Sequence, residues 1–152
     1  MEALAAGRNP DRLRVEEEML GIFVRLLAAA FRLRPKECGA GRRGGRRELA
    51  EAARGLLARR FRESLTLSQL AGALGVSPFH LSRGFREATG STLHAYRNAL
   101  RLAAALEEVC DPRRNLTAIA LDLGYSSHSH FTAAFRRQFG IAPSQARHLL
   151  CT

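Results

Sequence analysis

The chain has 152 residues, 46% of them hydrophobic, and 24 Lys and Arg against 14 Asp and Glu give a formal net charge of +10. That length holds one domain plus an extension, the apolar share suffices for a globular core, and the charge favours a polyanionic partner. No apolar run reaches the ~18 residues of a membrane span, and Cys38, Cys110 and Cys151 are too few and too scattered for a disulfide framework.

Residues 1–34 read as helical. Val15, Met19, Ile22, Phe23, Leu26, Leu27 and Ala30 recur at helical spacing, and Glu16, Glu17 and Glu18 suit the positive start of such a helix. The stripe fits packing on the rest of the domain or on a partner helix, so a homodimer through this segment is one expectation. Residues 35–47 follow as a flexible basic linker rich in Gly and Arg. Half of the net charge precedes residue 48, concentrated in this stretch. Lys36 is the single lysine among arginines, as a GC-rich coding bias would also produce, so charge alone does not identify the partner.

From residue 48 to the end every periodic segment is helical. A first helix over about 48–62 places Leu49, Ala52, Ala53, Leu56, Leu57 and Phe61 on one face. A short helix over 66–74, capped near Thr66, carries Leu67, Leu70, Ala71 and Leu74. Gly75 suits a left-handed cap, and Ser77-Pro78 restarts a helix that Gly90 stops. A long helix over about 92–109 opens at Ser91 or Thr92 and presents Leu93, Tyr96, Leu100, Ala103, Ala104 and Leu106; Asp111-Pro112 ends it. Asn115 then caps a helix with the stripe Leu116, Ile119, Ala120 and Leu123. Gly124 makes the next turn, Ser126 or Ser127 caps a helix ending at Gly140, and Pro143 opens a closing helix.

The chain therefore repeats itself. Leu67 to Ser77 reappears as Leu116 to Ser126, and Leu81, Phe85, Arg86 and Gly90 match Phe131, Phe135, Arg136 and Gly140. The repeated unit is helix, glycine turn, helix, over about 66–90 and 115–140, which is the helix-turn-helix pattern. The fold expected is all-α, two such units joined by the long helix. At 1.5 Å per residue that helix spans roughly 27 Å, and with the bodies it joins it can set two reading heads in adjacent major grooves about 34–36 Å apart.

In this motif the second helix enters the major groove by its N-terminal half. The first copy offers Phe79, His80, Ser82 and Arg83, with Arg86 beyond; the second offers His128, Ser129, Thr132 and Ala133, with Arg136 and Arg137 beyond. Arg83 is the best base reader, because its fork bonds guanine bidentately. Phe79 lies off the Leu81/Phe85 core row and is open to a thymine methyl or sugar. Arg86, Arg136 and Arg137 suit phosphates, which position without specifying. His128 and His130, two apart, do not share a helix face and lack supporting Cys or carboxylates, so no metal is expected. Neither a catalytic dyad nor a phosphate-cradling glycine loop appears, so neither an enzyme nor a cofactor is expected.

The second copy, with Ile119-Ala120, Gly124-Tyr125-Ser126-Ser127, His130-Phe131, Phe135-Arg136-Arg137, Phe139-Gly140, Pro143 and Arg147, resembles the AraC/XylS family of bacterial transcription regulators. The first copy, from Leu70-Ala71 through Gly75-Val76-Ser77-Pro78 and His80-Leu81 to Phe85-Arg86, resembles the same family. The likeness covers about residues 48–148. It implies seven helices in two helix-turn-helix subdomains, base contacts at Phe79, Ser82, Arg83, His128, Ser129, Thr132 and Ala133, activation rather than repression, RNA polymerase as a partner, and a bacterial cytoplasmic protein associated with the nucleoid. Ala133 departs from the longer polar side chain common there, and Ala146 from an aromatic. Family members usually carry an upstream sensor or oligomerisation domain; residues 1–34 resemble the helical tail after one, which implies a truncated member. Two other classes stand beside the sequence-specific regulator: a non-specific basic nucleic-acid binder, and a protein-interaction module working through residues 13–31.

Overall fold

A computed structural model describes residues 44–150. The expected N-terminal helix, its homodimer and interaction roles, and most of the basic linker lie outside the described residues. Among the described residues seven helices follow one another, α1 Gly44–Arg60, α2 Leu67–Ala73, α3 Pro78–Thr89, α4 Leu93–Val109, α5 Leu116–Asp122, α6 His128–Phe139 and α7 Pro143–Leu150. No strand occurs among the described residues.

Local chemistry sets most boundaries. The Thr66 hydroxyl accepts from the Gln69 amide while the Gln69 side chain accepts from the Thr66 amide, a closed capping box at α2. Ser77, Thr92 and Ser127 accept from amides three residues on, and Asn115 from Thr117, so α3, α4, α5 and α6 each start on a satisfied amide. Gly90 and Gly140 end α3 and α6 in the left-handed region, at φ 74° and 84°.

α1 departs from expectation. It begins at Gly44, so residues 44–47 are its first turn rather than linker. Arginine is a good helix former, Arg46 pairs with Glu87 of α3 at 2.7 Å, and Ala50 is already buried. The helix also ends two residues early, at Arg60, because Phe61 leaves it to pack elsewhere. The buried face is Ala50, Ala53 and Leu57; Ala52, expected inside, is exposed.

The buried side chains form two clusters. Ala50, Ala53, Leu57, Leu70, Ala71, Leu81, Phe85 and Leu93 make the first. Leu102, Ala105, Val109, Ile119, Ala120, Leu123, Tyr125, Phe131, Ala134, Phe135, Phe139 and Ala146 make the second. α4 belongs to both. Its start contributes Leu93, Tyr96 and Leu100 to the first cluster, and its end contributes Leu102, Ala105 and Val109 to the second. A single stripe through Ala103 is therefore the wrong description: Ala103 is exposed, and α4 buries different faces at its two ends. Leu67, expected inside, is 40% exposed. Cys110 is half-buried, and Ala146 is fully enclosed.

Candidate nucleic-acid interface

α3 and α6 are the same object fifty residues apart. Each has 12 residues, a serine cap and a left-handed terminal glycine. Each turns a row of side chains fully inward: Leu81 and Phe85 in α3, Phe131, Phe135 and Phe139 in α6. With those rows fixed, helical geometry leaves Phe79, Ser82, Arg83 and Arg86 on one outward face, and Ser129, Thr132, Ala133 and Arg136 on the matching face of α6.

The outward side chains are largely free of the core. Phe79 is 72% exposed, a large apolar surface held in water at the start of α3. His80, Ser82, Arg83 and Arg86 are exposed beside it. On α6, Ser129, Ala133, Arg136 and Arg137 are exposed, whereas His128 and Thr132 are half-buried, with Thr132 Oγ1 3.5 Å from His128 Nε2. His130 stands edge-on to Tyr125, ring centroids 5.3 Å apart, with Nδ1 3.1 Å from Ser126 Oγ. It braces the entry to α6. Among the described residues no group of three or more His, Cys, Asp or Glu is placed to hold a metal.

The two faces differ chemically. Arg83 donates through Nε to Glu87 Oε1 at 2.8 Å, while Arg46 holds the other carboxylate oxygen. Hydrogen bonding to Arg83 holds the Glu87 carboxyl below its ordinary pKa and raises that of Arg83. Fifty residues on, Ala133 and Arg137 occupy these positions, so the second face has no such pair. The four-residue spacing of Arg83 and Glu87 is a local sign of their pair, whereas nothing local in the basic linker marks Arg46 as a partner of Glu87.

Positive charge also gathers where α4 starts beside α6. Partial burial, reinforced by Arg97, Arg101, His130 and Arg137, holds His94 below the ordinary imidazole pKa. Behind it, the Tyr125 hydroxyl donates to Asn98 at 2.9 Å, and burial pushes the Tyr125 pKa up to about 12, so the phenol keeps its proton.

The profile of the helix-turn-helix domain family matches residues 70–148. The regulatory protein SoxS of Escherichia coli strain K12 is 40% identical over 88 residues, 58% of this chain and 82% of SoxS. The chain belongs to the AraC/XylS family. Its likeness to the transcriptional activator RhaS of Pectobacterium carotovorum extends over 146 residues at 29% identity, 95% of this chain but 50% of RhaS. Among solved structures, the C-terminal domain of AraT, a response regulator from Geobacillus stearothermophilus, superposes with a TM-score of 0.62 at 29% identity, over 66% of this chain and 84% of that one. An AraC-type regulator from Chromobacterium violaceum does so with the same score and identity, over 68% and 93%. The protein is thus a DNA-binding transcriptional regulator of this family, and the double motif expected from the repeat is its AraC-type region. Its similar proteins are regulators rather than enzymes. No helix among the described residues is long and apolar enough to cross a membrane.

Proposed function

We propose that this AraC/XylS protein is a sequence-specific activator that inserts α3 and α6 into successive major grooves of one duplex. The observation that carries the reading is the pair of identically capped 12-residue helices, each sealed inward and carrying outward arginines, with serine and Phe79 on the first and serine and threonine on the second. α4, 17 residues and so about 25 Å long, belongs to both cores. With the bodies at its ends it matches the ~34–36 Å between successive groove faces. Base edges are read by Phe79, Ser82 and Arg83 from α3, and by His128, Ser129, Thr132 and Ala133 from α6. Arg86, Arg136 and Arg137 hold phosphates. Activation brings RNA polymerase as the second partner, and the bacterial cytoplasm, at the nucleoid, is the place for this activity.

Selection of bound fragments from random or genomic DNA tests the reading. A specific binder prefers its site over scrambled DNA by at least ~10³; equal affinity for both would leave a non-specific basic binder instead. Within a selected site, Arg83→Ala is expected to cost about 1–3 kcal/mol and relax preference at one base pair. Repeating the selection with the variant checks this, and an unchanged preference would remove Arg83 from the reading set. Arg136→Ala is expected to weaken binding to all sequences alike and to lower the salt slope by about one unit. A defect confined to one base pair would place Arg136 on a base edge.

A further inference from the structure

We propose that Arg101 is a positioning residue that sets the distance and angle between the two reading heads, making the protein selective for the spacing of its two half-sites. The inference rests on the two-headed reading above.

The contacts of this residue run between the two units. Arg97 and Arg147 are related by the same fifty-residue offset as α3 and α6. Arg97 donates to the Leu65 carbonyl at 2.6 Å, and Arg147 to the Val109 and Arg114 carbonyls at 2.9 and 2.8 Å. Each thus pins the segment leading into the first motif helix of its own unit. The position at that offset from Arg101, one turn beyond Arg97, is Cys151, which lies outside the described residues; Arg101 itself reaches across the two units. Its Nε donates to the Phe61 carbonyl at 2.7 Å and its terminal nitrogen to the Glu63 carbonyl at 3.0 Å. The same guanidinium lies 5.6 Å from the centre of the Tyr125 ring. One buried side chain therefore clamps the segment after α1, which belongs to the first unit, against the turn of the second.

Other contacts run the same way. Phe61 packs against the second cluster although α1 is built into the first. Arg62 pairs with Glu108 at 2.6 Å, near the far end of α4. The two turn glycines report the asymmetry directly. A Cβ on Gly75 would meet nothing within 4 Å, whereas one on Gly124 would stand 2.9 Å from Arg101 Cζ and closer still to the Arg62 carbonyl oxygen. The strap thus covers the second turn and leaves the first bare. From there Tyr125 contacts His130 at the start of α6, so the clamp abuts the entry to the second reading helix.

A planar fork holding two carbonyls resists rotation, because tilting it breaks charge-assisted bonds in a buried setting. One added base pair turns the far half-site by about 34–36° around the duplex axis. Rigidly strapped heads cannot follow that turn, whereas loosened heads can.

The test uses a duplex selected by the full chain, the same duplex with one base pair inserted or removed between the half-sites, and a scrambled control, read by fluorescence anisotropy. The wild type is expected to lose at least about tenfold on insertion or removal, comparable with one mismatched base pair. Arg101→Lys keeps the charge but cannot span both carbonyls, and is expected to lose under about threefold. Circular dichroism melting establishes that the variant is folded. If Arg101→Lys is unfolded at the assay temperature, Arg62→Ala, which removes the ion pair to Glu108 and the contact over the Phe61 ring, is expected to show the same relaxation in smaller measure. A folded variant keeping the wild-type spacing penalty would overturn the inference, as would a wild type that prefers its sequence but ignores spacing. Equal wild-type binding to selected and scrambled duplexes would instead bring down the sequence-reading function, and this inference with it.

Discussion

Gly124→Val is expected to lower stability by roughly 2–5 kcal/mol. A left-handed residue with a side chain costs about 1–2 kcal/mol, and overpacking adds about 1–3 kcal/mol. Both act at Gly124, where φ is 81° and a Cβ would collide with the Arg62 carbonyl and the Arg101 guanidinium. For a domain near this size the melting temperature should fall by on the order of 20 °C. Gly75→Val is the internal control. Its φ is 66°, and nothing lies within 4 Å of the added Cβ, so it bears the conformational cost without the collision. Calorimetry of both variants decides the matter: equal losses would mean that the segment after α1 does not rest on the second turn.

Phe135→Ala is the other substitution with a large expected effect, about 3–5 kcal/mol out of a total of order 5–15 kcal/mol. Phe135 is fully buried. Its ring centroid lies 5.6 Å from that of Phe131 and 4.5 Å from that of Phe139, and Phe131 continues the stack to Tyr125 at 5.3 Å. The ring is the middle of the aromatic column that backs α6, so its removal leaves a cavity that helices on either side cannot close without tilting the outward face. Urea unfolding should show a lower midpoint with the slope retained, and binding to a selected site should weaken at temperatures where the variant is still folded. A wild-type midpoint would show that the column is dispensable. Because the first cluster has its own aromatic contact, Phe85 against Tyr96 at 5.6 Å, the same experiment reports whether the two units melt together. The strap through Arg101 predicts a single transition.

Much of the fold was legible in the chain because its signals are local. Caps at Thr66, Ser77 and Asn115, glycine stops at Gly90 and Gly140, and apolar rows at three- and four-residue spacing all act within one or two turns. Their register survives whatever the helix packs on. Local signals fail where an element meets two environments. α4 buries one face near Leu93 and another near Val109, so a single stripe ran through exposed Ala103. α1 extended back through Arg46 and Arg47 because Arg46 meets Glu87 across a gap of 41 residues, which no local pattern announces. The same holds at the interface. Exposed Phe79 and Arg83 were recoverable from the core row beside them, whereas the Glu87 carboxylate shared by two arginines was visible only once α1 lay against α3.

Sequence alone determined that two helix-turn-helix units recur at a fifty-residue offset and which side of each second helix faces out, since capping, turn chirality and helical period involve neighbours in the chain. Tertiary structure alone decided which arginines stay at the surface and which are consumed in holding the units together. Arg86 and Arg101 are the same residue type on helices of the same domain. One is exposed and the other binds carbonyls 38 and 40 residues away. A guanidinium takes the buried role only where the backbone brings unpaired carbonyl oxygens to meet it.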